Sequence, residues 1–177
     1  MHKFGNWYAM FLDKNGDPWI TIGPNYVFTI ILYAFVTLLA CVLLNMISHA
    51  SKKIWYIEAG IYFIIFLAYL SLSLTVLLNP GHPVTKKYRG IPNSQWCRKW
   101  QVPKFKKKST YHWSIWDRWV EYYDHHCPWM GKCIGGGNLV PFYGFLLSFW
   151  MMLFSTFLSA SLIFKPDRPR KNKQKLL

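Results

Sequence analysis

Three apolar runs, each long enough to cross a bilayer, constrain this chain more than any other feature. Residues 26–47 read YVFTIILYAFVTLLACVLLNMI without a charge, and residues 54–78 read IWYIEAGIYFIIFLAYLSLSLTVLL with one acid, Glu58, near the start. Residues 142–164 read FYGFLLSFWMMLFSTFLSASLIF, again without a charge. A helix of about 20 apolar residues spans a hydrocarbon core of roughly 30 Å. Buried helices of soluble proteins are rarely so long and apolar on every side. The runs predict an all-α multi-pass membrane protein with transmembrane helices at 26–47, 54–78 and 142–164. The mixed segment 1–25, with Asp13, Asp17 and two prolines, does not read as a secretory signal, so the first span is the expected anchor.

The charge is segregated from these runs. The chain is 53% hydrophobic yet carries 21 Lys+Arg against 7 Asp+Glu, which excludes a disordered basic tail. The segment 79–141 holds 11 of the basic residues against three acids, Asp117, Glu121 and Asp124. The positive-inside rule predicts that this loop, and with it residues 1–25, is cytoplasmic. The link 48–53 is short, so the first two spans are expected to form a tight hairpin. The basic tail 165–177, with six Lys+Arg, then falls on the opposite side, against the same rule. A missing fourth span, a carboxy-terminal truncation, or a natural short form of unusual topology would each account for it, and truncation is the favoured reading. The basic surplus is assigned to the bilayer, with no nucleic acid expected. Lys104, Lys106, Lys107 and Lys108 read as a membrane-surface patch in preference to a dedicated CoA site. Cys41 reads as a small apolar residue of the first span, and no disulfide framework is indicated.

The chemistry is concentrated in the loop, in WCRKW at 96–100 and YHWSIWDRWVEYYDHHCPWMGKCIGGGN at 111–138. Asp124, His125, His126 and Cys127 are consecutive, and Cys133 follows six residues later. A Cys beside imidazoles and an acid has the ingredients of an activated nucleophile, because the thiolate is the reactive form and a nearby base assists its formation. The acid can hold an imidazole in the useful tautomer. Neighbours on one strand or helix point in different directions, so the run is expected to be a turn held by something else. Zinc is the obvious holder, since His and Cys at short spacing are its ligands and the loop has too few aliphatic residues for a core of its own. Gly135, Gly136 and Gly137 lack the strand and Lys of a phosphate loop and read as a flexible re-entry into the third span. His2, His49 and His82 are assigned no role.

DHHCPW followed by MGKCIGGGN resembles the cysteine-rich domain of the DHHC family of protein S-acyltransferases. NPG at 79–81 is similar to the family's Asp-Pro-Gly motif, with Asn79 in place of the acid, and the order of spans also agrees, so the resemblance covers most of 26–164. It implies a two-step transfer in which Cys127 takes a fatty acyl group from acyl-CoA and passes it to cysteines of membrane-associated substrate proteins. His125 would be the acid or base, Asp124 would orient it, and His126 would face away as a zinc ligand. Palmitoyl-CoA or a similar acyl-CoA is the implied co-substrate, the lipid bilayer a partner, and an endomembrane such as the endoplasmic reticulum or Golgi the implied location. The family continues through a fourth span to a Thr-Thr-x-Glu motif, neither of which is in this sequence.

The resemblance also implies two structural zinc sites, and here the sequence departs from the pattern. Cys97 and His112 would serve one site, His126 and Cys133 the other. The four remaining ligand positions are Trp100, Trp113, Trp116 and Trp119, and an indole offers no lone pair to a metal. Three explanations stand open: a zinc-free member whose tryptophans pack together or line the interface, a degenerate pseudoenzyme, or UGA codons for Cys decoded as Trp. The last predicts UGA at 100, 113, 116 and 119 and UGG at Trp129. The rivals to transfer activity are a silent membrane adaptor binding partners through the basic loop and, more distantly, a channel or transporter subunit.

Overall fold

The computed structural model describes residues 2–4, 7–12, 14, 18–49, 54–81, 110–113 and 118–163, with backbone alone at 2–4, 7, 110–113, 118, 119, 162 and 163. Cys97, Trp100, Trp116, the lysines at 104 and 106–108 and the tail 165–177 lie outside the described residues. In chain order the elements are β1 (His2–Phe4), β2 (Trp7–Leu12), β3 (Pro18–Ile22), α1 (Tyr26–Ser48), α2 (Trp55–Leu77), β4 (Thr110–Trp113), β5 (Arg118–Glu121), β6 (His125–Cys127), β7 (Lys132–Ile134) and α3 (Leu139–Ile163).

The three apolar runs are helices, each long and apolar enough to cross a membrane. At 1.5 Å per residue, 23 residues give α1 and α2 a length of about 35 Å. The protein is mostly helical and multi-pass. Glu58 lies in the first turn of α2, where a carboxylate complements the helix dipole. α3 begins at Leu139, earlier than the apolar run, because Asn138 O accepts the first helical bond from Phe142 N at 3.2 Å. Pro141 falls in the first turn, where its missing N–H has no intrahelical partner to lose.

α3 packs along α2 and against α1, while the backbones of α1 and α2 stand further apart and meet through side chains. The centre of the bundle is Val36, Ala40, Ala68, Leu72, Phe142, Phe145 and Met152. Lipid tails are as apolar as these side chains, so close approach of small residues and hydroxyl pairs does the holding. Tyr33 Oη lies 2.9 Å from Ser73 Oγ, and Thr37 Oγ1 lies 2.7 Å from Tyr69 Oη; such bonds average about 0.6 kcal/mol each in a bilayer. Phe28, Ile30, Phe35, Phe63, Phe66, Trp150, Phe154 and Phe157 point outward, as lipid-facing side chains would.

Short strands complete the fold. β1, β2 and β3 form an antiparallel sheet, with Ala9 opposite both His2 and Thr21. Two further ribbons pair β4 with β5 and β6 with β7. Their strands have three or four residues, too few for alternation to be read from sequence.

Candidate functional site

The His-His-Cys part of the run, His125–Cys127, is a strand and not the expected turn. Successive residues of a strand point to opposite faces, so β6 sets His125 and Cys127 on one side and His126 on the other. The turn comes immediately afterwards: Pro128–Met130 form a single 3-10 turn, with Pro at its start and Gly131 left-handed at φ +70° closing it. β7 then returns antiparallel, with Cys127 opposite Lys132 and His126 opposite Cys133.

On the first face, Asp124 Oδ2 and His125 Nδ1 are 3.0 Å apart in a half-exposed pair. That contact holds the proton of a neutral imidazole on Nδ1 and leaves Nε2 as the base. The His125 ring meets the edge of Phe142 at 5.1 Å, which fixes it over the start of α3. Cys127 is buried with Met130, Ile134 and Phe142 at the end of the helix bundle. Burial raises the thiol above its ordinary range, and the backbone at Met130 and Trp129 works in the opposite sense without outweighing it.

On the opposite face, His126 Nδ1 is 3.6 Å from Cys133 Sγ, and Nε2 is 3.3 Å from Asn25 Nδ2, just before α1. Burial, then the neighbouring His125, lower the His126 pKa and keep it neutral. Burial pushes the Cys133 thiol up to about 12, with Lys132 pulling the other way.

The ribbon is anchored by groups that the sequence does not advertise. Lys132 is completely buried, and its Nζ donates to Thr21 Oγ1 and Leu78 O, each at 2.8 Å. Burial holds this ammonium well below the usual lysine range. Asn138 is also fully buried; its Oδ1 accepts from Gly135 N at 2.9 Å, and its Nδ2 donates to Thr75 O and Cys133 O at 3.2 Å. The Gly135–Gly137 run is tightly packed and not a loose re-entry. A Cβ at Gly135 would stand 2.6 Å from both Pro80 O and Val120 Cγ1, and Gly136 N and Gly137 N donate to Glu121 O and Pro80 O at 3.2 Å. The Asn-Pro-Gly segment is thereby clamped beneath the ribbon, with Asn79 Oδ1 accepting from Gly81 N at 3.1 Å.

The fit to zinc is partial. A tetrahedral zinc with one sulfur at about 2.3 Å and one imidazole nitrogen at about 2.0–2.1 Å sets those atoms about 3.5 Å apart. The His126–Cys133 separation of 3.6 Å suits one edge of such a tetrahedron. Among the described residues no group of three or more His, Cys, Asp or Glu gathers where it could hold a metal. The described donors therefore amount to half a site and do not complete it. His112 is described by backbone alone: in the β4–β5 ribbon it is the register partner of Trp119, and Trp113 is the partner of Arg118. The His112-to-Trp119 and His126-to-Cys133 pairs have the same seven-residue separation and the same ribbon register. That repeat is present in the sequence as His-x6-Trp and His-x6-Cys.

Comparison with known proteins decides the family of this segment. Residues 91–177 match the family described as DHHC palmitoyltransferase. This part of the chain is a DHHC palmitoyltransferase domain. The chain is 50% identical over 44 residues to palmitoyltransferase ZDHHC18 of Mus musculus, covering 25% of this chain and 12% of that protein. ZDHHC18 of Homo sapiens matches at 50% over 44 residues, covering 25% of this chain and 11% of that protein. Palmitoyltransferase ZDHHC9 of Bos taurus matches at 43% over 53 residues, covering 30% and 15%. The matched stretches are thus small fractions of those relatives. The matched residues include Asp124, the strand His125–Cys127, the Cys133 ribbon and α3, so the geometry above lies within the matched segment.

Proposed function

We propose that this chain is a protein-cysteine S-palmitoyltransferase with Cys127 as nucleophile, His125 as acid-base and Asp124 as the group that orients His125. The carrying observation is one arrangement within the DHHC domain: a buried Cys127 on the same strand face as a His125 paired to Asp124 at 3.0 Å.

The reaction is a pair of thioester exchanges. His125 accepts the Cys127 proton, and the thiolate attacks the acyl-CoA carbonyl. The carbon–sulfur bond to CoA breaks, and the proton passes to the departing CoA sulfur. A substrate cysteine then attacks the Cys127 thioester by the same route, restoring the thiol. The backbone at Met130 and Trp129 lowers the cost of the thiolate, offsetting part of burial. Apolar side chains around Cys127 supply a water-poor setting that protects the thioester from hydrolysis.

In this reading the residues 79–141 are cytoplasmic, as are residues 1–25, and three spans at 26–47, 54–78 and 142–164 hold the site against an endomembrane. Acyl-CoA is the donor, and membrane-associated proteins with cytoplasmic cysteines are the acceptors. His126 and Cys133 in one site, and Cys97 and His112 in the other, would hold zinc as structural ligands only where further donors complete each site, with no part in the transfer step. The test is CoA release by the full chain in liposomes supplied with palmitoyl-CoA and a membrane-anchored cysteine peptide. Release should depend on the peptide's cysteine; release no faster than from empty liposomes would count against the proposal.

A further inference from the structure

The sheet that precedes α1 has no part in the transfer chemistry, yet its position is fixed with care. Asn79, two residues beyond α2, donates from its backbone N–H to Trp19 O at 3.1 Å and from Nδ2 to Pro18 O at 2.9 Å. Ile20 bridges Leu78, and Thr21 Oγ1 accepts from the buried Lys132. Only residues 23–25 separate β3 from α1. β3 is therefore held at the level where α1 enters and α2 leaves the apolar zone.

At that level the sheet exposes large apolar side chains. Phe11 is 71% and Trp19 is 68% exposed, at neighbouring positions of the hairpin. Leaving a Phe side chain in water forgoes about 1.5–3 kcal/mol relative to burial. Tryptophan and tyrosine concentrate where bilayer meets water, because their rings are apolar with one polar edge. The first turn of α1 continues the apolar surface with Tyr26 and Val27, both more than half exposed.

We propose that the β2–β3 hairpin is seated in the headgroup layer of the bilayer that α1, α2 and α3 cross, with Phe11 and Trp19 immersed at the acyl boundary. The occupant of this face is lipid. The hairpin then sets the height of Asn79 and Lys132, and through them of the β6–β7 ribbon, relative to the membrane. This inference depends on the three spans and is independent of acyl transfer.

A benzoyl-phenylalanine photoprobe introduced at position 11 or 19 of the full chain in phosphatidylcholine liposomes tests it. Both side chains are exposed, so neither replacement removes packing. Irradiation followed by mass spectrometry should find phospholipid adducts at both positions, as at Ile30, an outward residue near the start of α1 that serves as the lipid-facing reference. Lipid adducts at 30 with none at 11 and 19 would overturn the inference in favour of a water-facing hairpin. Adducts to a second copy of the chain at 11 and 19 would overturn it in favour of a protein contact.

Discussion

His126 and Cys133 face each other across the β6–β7 ribbon with Nδ1 and Sγ 3.6 Å apart, the spacing of two ligands on one zinc. Six residues separate them, as six separate His112 from its register partner Trp119. The chain as written should retain no stoichiometric zinc after dialysis, measured by plasma mass spectrometry. The combined variant Trp100→Cys, Trp113→Cys, Trp116→Cys and Trp119→Cys should retain two per chain. Stoichiometric zinc in a chain whose mass confirms all four tryptophans would mean that other ligands complete the sites.

Lys132 is a stability element. Lys132→Ala leaves Leu78 O without this donor and opens a cavity, at a cost of about 2–4 kcal/mol. Lys132→Met refills most of the volume and should cost about 1–2 kcal/mol. Burial lowers the folded-state pKa of Lys132. Between that lowered value and about pH 10.4 the unfolded chain binds more protons at this group, so its contribution makes stability rise with pH across the window. Thermal unfolding in detergent micelles against pH should show this slope in the natural chain and lose it in Lys132→Met. An unchanged slope would assign it to other groups.

The two glycines 60 and 135 should respond oppositely to alanine. At Gly135 the new Cβ would meet the Pro80 carbonyl and Val120 at 2.6 Å, and a backbone oxygen cannot swing aside. Gly135→Ala should cost about 1–3 kcal/mol. Nothing lies within 4 Å of a Cβ at Gly60 in α2, so Gly60→Ala should be neutral or stabilising by up to about 1 kcal/mol. Melting temperatures of the two variants check the order.

Cys127 should not behave as a pre-formed thiolate. Its thiol is raised by burial, so at neutral pH it is protonated. The iodoacetamide reaction rate should keep rising with pH beyond about 8.5, where an ordinary thiol is half ionised. A rate that levels off near neutral pH would show that the neighbouring backbone and His125 outweigh burial in the resting protein.

The spans were legible because length and uniform apolarity need no tertiary information. Glycine is different: the absence of a side chain serves flexibility or close approach equally, and only the position of Pro80 shows that Gly135 serves the second. Lys132 counts in the sequence as one more basic residue of a charged loop, and its burial is created by Leu78 and Thr21, remote along the chain. The alternation that separates His126 from its neighbours belongs to a three-residue strand, below any periodicity signal. The repeated His-x6 spacing was readable in principle, yet its meaning depends on knowing that both pairs face across a ribbon.

The central claim is the acyl-enzyme at Cys127. The full protein, purified and folded, should take label from palmitoyl-CoA in a hydroxylamine-sensitive bond that mass spectrometry places on Cys127. Cys127→Ser should carry none. Asp124→Asn should acquire label up to about 10⁴-fold more slowly, as when an acid that orients a catalytic imidazole is lost. A folded protein that takes no label, or a Cys127→Ser protein that labels as fast as the original, would contradict the account.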